Sequence, residues 1–140
     1  MTVPERADAA SLLLSLHPNP RLLRHSRAVA EVAGWLAARI QANGIAIDRR
    51  LSEAGGLLHD VDKALPGSDP LRALRHGDGS AAWLRARGYE EVAPVVADHP
   101  VTRLADDADF ERLISTDGIE ARVVAYADKR ATQRLSLIHI

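Results

Sequence analysis

The sequence predicts an all-α fold, a single bundle of six to seven helices. Three observations predict it. Apolar residues recur at helical spacing along most of the chain, alternating strand patterns are essentially absent, and Pro, Gly, Asn and Asp fall where helices start and stop. The 140 residues suit one compact domain. No internal repeat, low-complexity tract or interdomain linker interrupts them.

Pro4 can open a first helix over 4–16, closed by His17-Pro18-Asn19-Pro20. The second helix has the clearest pattern: Leu22, Ser26, Val29, Ala33, Leu36 and Ile40 share a face, and Asn43-Gly44 supplies the stop. Asp48 can cap a third helix that runs through Leu51, Ala54 and Leu58 to His59-Asp60. Gly55 and Gly56 each cost that helix about 1 kcal/mol relative to Ala, so a close approach of another helix or backbone is expected there. Ser68-Asp69-Pro70 reads as a cap and first-turn Pro for a short fourth helix ending near His76-Gly77. A fifth runs from Ser80 to Arg87, with Gly88 as its stop. In the sixth, Val92, Val95, Val96 and His99 lie on one face, and Pro94 falls in the tolerant first turn. After a polar loop, Asp117 can cap a last helix with Val124, Ala127, Asp128, Ala131 and Leu135 in register.

Composition excludes several classes of function. With 18 Lys+Arg against 19 Asp+Glu, the chain lacks the positive excess needed to coat nucleic acid or an anionic membrane. Zero Cys rules out disulfide scaffolds and thiolate metal sites. Nothing resembles a secretory signal or a bilayer span, so the cytoplasm is the expected location. Only two of the 18 basic residues are Lys, and they follow Asp60 and Asp128 closely, at positions 63 and 129. In a chain that otherwise uses Arg, that hints at a need for a compact ammonium. The last six residues, Leu135-Ser-Leu-Ile-His-Ile140, can be encoded by CTG TCT CTT ATA CAC ATC, which resembles a sequencing-adapter end. The expected division is therefore a domain over 1–134 and a non-native tail over 135–140, with native sequence continuing past about Gln133 or Arg134. The alternative is an ordinary amphipathic tail. Sequencing the gene across that junction separates the two.

His139 falls in that tail and His17 in a Pro-flanked loop, which leaves His25, His59, His76 and His99. Each lies in a helix or at its end, beside small or apolar residues. Asp60 follows His59, and Asp128 sits on an apolar helix face in Val124-Ala-Tyr-Ala-Asp128-Lys129. A carboxylate so placed needs a nearby cation, and His is the commonest metal ligand. Any one of these His could be an ordinary core or surface residue. Four of them with two suitable Asp point to a metal site.

Leu57-Leu58-His59-Asp60-Val61-Asp62-Lys63 resembles the His-Asp doublet of the HD superfamily of metal-dependent phosphohydrolases. His25, in Arg24-His25-Ser26-Arg27, is similar to that family's first ligand, and Asp128 in Tyr-Ala-Asp-Lys-Arg to its last. His76 in His-Gly-Asp-Gly-Ser and His99 in Val-Ala-Asp-His-Pro resemble the two additional His of six-ligand members. The resemblance covers residues 20–134 and implies an HD-type helical bundle. It also implies one or two divalent transition-metal ions, drawn from Fe, Mn, Co, Ni or Zn. His25, His59, Asp60 and Asp128 would hold the first ion; His76 and His99 would hold the second, with Asp60 bridging. Asp62 stands where many two-metal members have Gly, and no Gly-Tyr-Pro signature occurs, so a cyclic-dinucleotide subgroup is not indicated.

The implied activity is hydrolysis of a phosphate ester or phosphoanhydride in a nucleotide or related small molecule, through a metal-activated hydroxide. The alternative is a regulatory module that binds metal or nucleotide without turnover. Asp60 and Lys63 are the candidate catalytic residues. Lys63, Arg24, Arg27 and Arg130 are the candidate contacts for substrate phosphate. Asp62 or Asp98 could support the metal ligands from behind, but neither rises above a surface carboxylate. Ser26 and Ser80 have a His within range but no nucleophile elbow around them. Neither a membrane nor a nucleic-acid partner is indicated, and the oligomeric state is open.

Overall fold

The computed structural model describes residues 3–100, 105–114 and 118–138, with backbone alone for 112–114 and 132–138. Seven α-helices and no strand occur among them: α1 Arg6–Leu14, α2 Pro20–Ala42, α3 Arg49–Leu58, α4 Asp78–Ala86, α5 Val92–Ala97, α6 Asp107–Ile114 and α7 Ile119–Ile138. The all-α expectation holds. None of the helices is long and apolar enough to cross a membrane.

Local chemistry sets most boundaries. The Asn19 side chain accepts from Leu22 N–H at the start of α2, and Pro20 occupies the first turn. Asp48 does the same for Leu51 N–H at the start of α3. Gly44 (φ 84°) and Gly88 (φ 88°) turn the chain after α2 and α4 in the left-handed region that glycine adopts freely. Two expectations differ from the structure. The segment after Asp69-Pro70 closes only a single 3₁₀ turn, Pro70–Ala73, so His76 lies in a loop rather than on a helix. The stretch read as a polar loop contains α6, whose first turn carries Asp107 and Asp109. Asp117 and His139 lie outside the described residues.

The 23-residue α2 is the axis of the bundle and packs along α3 and α7. Its face turned to α7 contributes Val29, Ala33 and Ala37 to an apolar cluster with Val95, Val124 and Ala127. Ala30 joins a second cluster with Leu13, Leu58, Leu84, Val92 and Val96. The two glycines of α3 explain how closely these layers meet. A Cβ on Gly56 would lie 2.9 Å from Ala30 Cα, and one on Gly55 would lie 2.6 Å from Val95 Cγ1 and 3.2 Å from Val124 Cγ2. The expected close approach is therefore present on both sides of α3. It draws the C-terminal end of α3 against the N-terminal half of α2, which carries His25.

Candidate metal centre

Two histidines are fixed by the helix ends that carry them. The last carbonyls of a helix lack intrahelical partners. At the end of α3, His59 Nδ1–H donates to Gly56 O at 2.7 Å; just past α5, His99 Nδ1–H donates to Val96 O at 2.6 Å. A carbonyl can only accept, so in both neutral rings the proton sits on Nδ1 and Nε2 presents its lone pair. Both rings are buried. His76 follows the same logic with a carboxylate in place of the carbonyl. Its Nδ1 lies 2.9 Å from Asp62 Oδ2, which also accepts from Gly77 N–H at 3.1 Å.

These lone pairs converge. His59 Nε2 lies 3.2 Å from His25 Nε2, 3.2 Å from Asp60 Oδ2 and 3.4 Å from Asp128 Oδ1. His25 Nε2 is 2.8 Å from Asp128 Oδ1 and 3.6 Å from Asp60 Oδ2. On the other side of Asp60, His76 Nε2 and His99 Nε2 are 3.1 Å apart, at 2.9 and 3.5 Å from Asp60 Oδ1. The two oxygens of one carboxylate thus face two separate groups of donors. Asp60 Oδ1 is buried and makes no aligned hydrogen bond. With both rings neutral, His76 Nε2 and His99 Nε2 meet lone pair to lone pair, because each ring has committed its proton to the other side. A cation between the groups resolves both conflicts, and an all-N/O donor set suits a divalent transition metal. The residues fit the ions that the resemblance implied.

The electrostatics carry the same signature. Burial opposes ionisation of Asp60, yet the close approach of the His59, His76 and His99 rings holds its carboxyl far below the usual range. Asp128 is likewise lowered against its burial, by His25 and His59. Burial also opposes charge on His59, but hydrogen bonds to Asp128 and Asp60 raise it to about 9. Hydrogen bonds to Asp60 and Asp62 raise His76 to about 9 against its burial. For His99, burial prevails over Asp60 and lowers it.

All six expected ligands lie in this one cluster. Lys63, in the 3₁₀ turn Val61–Ala64, places Nζ 3.5 Å from Asp60 Oδ2 while its side chain stays 56% exposed. Arg24 and Arg27 on α2 and Arg130 on α7 are exposed, on the helices that carry His25 and Asp128. Asp62 is not the surface carboxylate expected. It is buried, its carboxylate orients His76, and its backbone N–H donates to Ser80 Oγ. Asp98 is buried as well. Arg72, which sequence reasoning passed over, donates from Nη1 to Asp62 O at 3.0 Å. It lines a cleft of about 210 Å³ together with Asp62, Lys63, Leu74 and His76.

The HD domain family profile matches residues 22–133. Ribonuclease Y of Chlorobium phaeobacteroides is 33% identical over 123 residues, 84% of this chain and 22% of that protein. Ribonuclease Y of Chlorobium luteolum is 35% identical over 130 residues, 85% of this chain and 22% of that protein. An uncharacterized protein of Methanocaldococcus jannaschii is 32% identical over 97 residues, 69% of this chain and 54% of its own length. The chain therefore spans about a fifth of the ribonuclease Y proteins and about half of the Methanocaldococcus protein. No solved structure matches it significantly.

Proposed function

The chain belongs to the HD domain family, and from that premise we propose that it is a metal-dependent phosphohydrolase acting on a nucleotide or a similar small phosphate compound. The observation that carries this reading is the convergence of six donor side chains from separate segments, with Asp60 shared between two groups. His25, His59, Asp60 and Asp128 would hold one divalent ion, and His76, His99 and the other Asp60 oxygen a second. Ions bound there would supply positive charge to phosphoryl oxygens and lower the pKa of water from 15.7 toward ~7. The chain's own residues supply the rest. Gly56 O, Val96 O and Asp62 fix three imidazoles in the tautomer that accepts a cation. Lys63 stands at the rim, where its ammonium can meet a substrate phosphate while offsetting the charge of Asp60. Arg24, Arg27 and Arg130 are exposed cations that could contact the remainder of a phosphorylated substrate.

A second reading, cleavage of an RNA phosphodiester, is favoured by the likeness to the ribonuclease Y proteins. The net charge of −1 favours a small substrate over an RNA strand. A panel of p-nitrophenyl phosphate, bis(p-nitrophenyl) phosphate, nucleoside mono-, di- and triphosphates and a short RNA, assayed with Mn²⁺, tests both readings. Turnover of the small compounds, abolished in His59→Ala and Asp60→Ala, is the expected result. Turnover of RNA alone would select the second reading. No turnover by metal-loaded protein would leave a non-catalytic binding module.

A further inference from the structure

Ser80, in the first turn of α4, is fully buried and belongs to neither donor group. Its Oγ accepts from the N–H of Asp62 at 3.0 Å. That N–H stands in the first turn of the 3₁₀ helix Val61–Ala64, where backbone donors have no partner within the helix. The hydroxyl therefore completes the turn from outside. Asp62 is held at two further points: its carbonyl accepts from Arg72 Nη1 at 3.0 Å, and its Oδ2 accepts from Gly77 N–H at 3.1 Å. The same Oδ2 meets His76 Nδ1 at 2.9 Å. The stretch His76-Gly77-Asp78-Gly79-Ser80 thus carries both a candidate ligand and two of the groups that hold the carboxylate orienting it. Gly79 lets them close on Asp62: a Cβ there would lie 2.6 Å from Leu71 O and 3.2 Å from Asp62 Cβ.

A closed circuit results, from the His76 ring through Asp62 to Ser80 and back along the chain. His59 and His99 need nothing comparable, because each takes its orientation from a carbonyl three residues back at its own helix end. His76 stands in a loop with its side chain 38% exposed, so its ring is only as fixed as Asp62. That ring brings Nε2 to 2.9 Å from Asp60 Oδ1. We propose that Ser80 is a positioning residue of the second donor group: by fixing Asp62 it sets the His76 ring, and through that ring how tightly the second ion is held, while touching neither ion nor substrate. The inference rests on the two-ion reading of the cluster and adds a residue to it. An alanine at position 80 would take the acceptor from a buried N–H, and the turn would have to shift to find another.

The test titrates metal-free protein with Mn²⁺ by calorimetry, for wild type, Ser80→Ala, Asp62→Ala, the double variant and Ser52→Ala. The binding step missing from His99→Ala identifies the second ion. Ser80→Ala should weaken that ion about tenfold, the lower end of what outer partners of metal ligands cost, and leave the first within about twofold. Because Ser80 acts through Asp62, adding Ser80→Ala to Asp62→Ala should cost the second ion nothing further. Ser52 is equally buried, but its Oγ donates to Asp48 O at the start of α3, so Ser52→Ala removes a core hydroxyl and should change neither step. Gly79→Ala forces α4 away from Leu71 O and Asp62 and should reproduce the selective loss; it decides the matter if circular dichroism shows Ser80→Ala unfolded. Equal weakening of both ions, or losses that add independently in the double variant, would overturn the positioning role. A second step unchanged in Ser80→Ala would overturn it too and leave the two-ion reading standing. Fewer than two Mn²⁺ steps in wild type would overturn that reading and this inference with it.

Discussion

His59 and His99 are oriented by one device used twice, a ring Nδ1–H on the carbonyl three residues back at a helix end. His76 lacks a helix end and uses Asp62 instead. Replacing a group that orients a metal ligand typically costs ten- to a hundred-fold in metal affinity. Asp62→Ala should therefore weaken the second ion by roughly that factor and leave the first in place. Asp62→Asn keeps an oxygen for His76 Nδ1–H and should lose less. Metal titration of the two variants, with circular dichroism to check folding, measures this; two ions held as tightly as in wild type would refute the orienting role. The pH behaviour follows from the same contacts. A histidine raised from 6.5 to about 9 adds stability that is fully present below pH 6.5 and is lost as pH rises through 9. His99 is lowered, so its contribution runs the other way, lost only as pH falls below 6.5. Metal-free protein should lose thermal stability from about pH 6.5 to 9, and Mn²⁺ should restore it across that window. A melting temperature flat over that range in the metal-free protein would contradict the assignment. The six candidate ligands were legible in the sequence because they are His and Asp in a recognisable order, most of them on or beside an apolar helix face; His76 stands in a loop. Asp62 and Arg72 were not, since their roles depend on a loop folding back over the 3₁₀ turn at Val61–Ala64, a tertiary contact that no local pattern encodes.

At the level of elements, the contact between α2 and α3 decides whether His25 and His59 meet. Gly56 faces the backbone of α2 at Ala30, which cannot give way as a flexible side chain would. Gly56→Ala gains about 1 kcal/mol of helix propensity but must part the two helices, and overpacking of this kind costs about 1–3 kcal/mol. The variant should be net destabilised by urea denaturation and should bind the first ion more weakly; a stabilised variant with intact metal binding would refute the close-approach account. The caps are simpler. Asn19→Ala and Asp48→Ala should each cost about 1 kcal/mol, measurable in the same denaturation series. Element positions were legible where caps and glycines punctuate them, as in α2 and α3. α6 was not, because its acidic first turn reads as loop; in the fold Arg75 approaches Asp109 there. The loop before α4 erred in the other direction. Asp69 and Pro70 supply a good start, but only one 3₁₀ turn forms before the chain has to bring His76 to Asp60.

Across the whole molecule, the six donors come from α2, the end of α3, the loop before α4, the end of α5 and α7, so a bound ion would tie together segments more than a hundred residues apart. Binding to the folded state alone stabilises it by about 2.7 kcal/mol at a hundred times the dissociation constant. Chelation with EDTA should therefore lower the melting temperature as well as abolish turnover, and an unchanged melt would show that the cluster holds no metal. The most direct test of the central claim is metal content by elemental analysis, after reconstitution with Mn or Fe under reducing conditions, for wild type, His25→Ala and His99→Ala. About two ions per chain in wild type, and fewer in each variant, is the result predicted by two donor groups that share Asp60. No bound metal in wild type, or a content unaffected by either substitution, would contradict it.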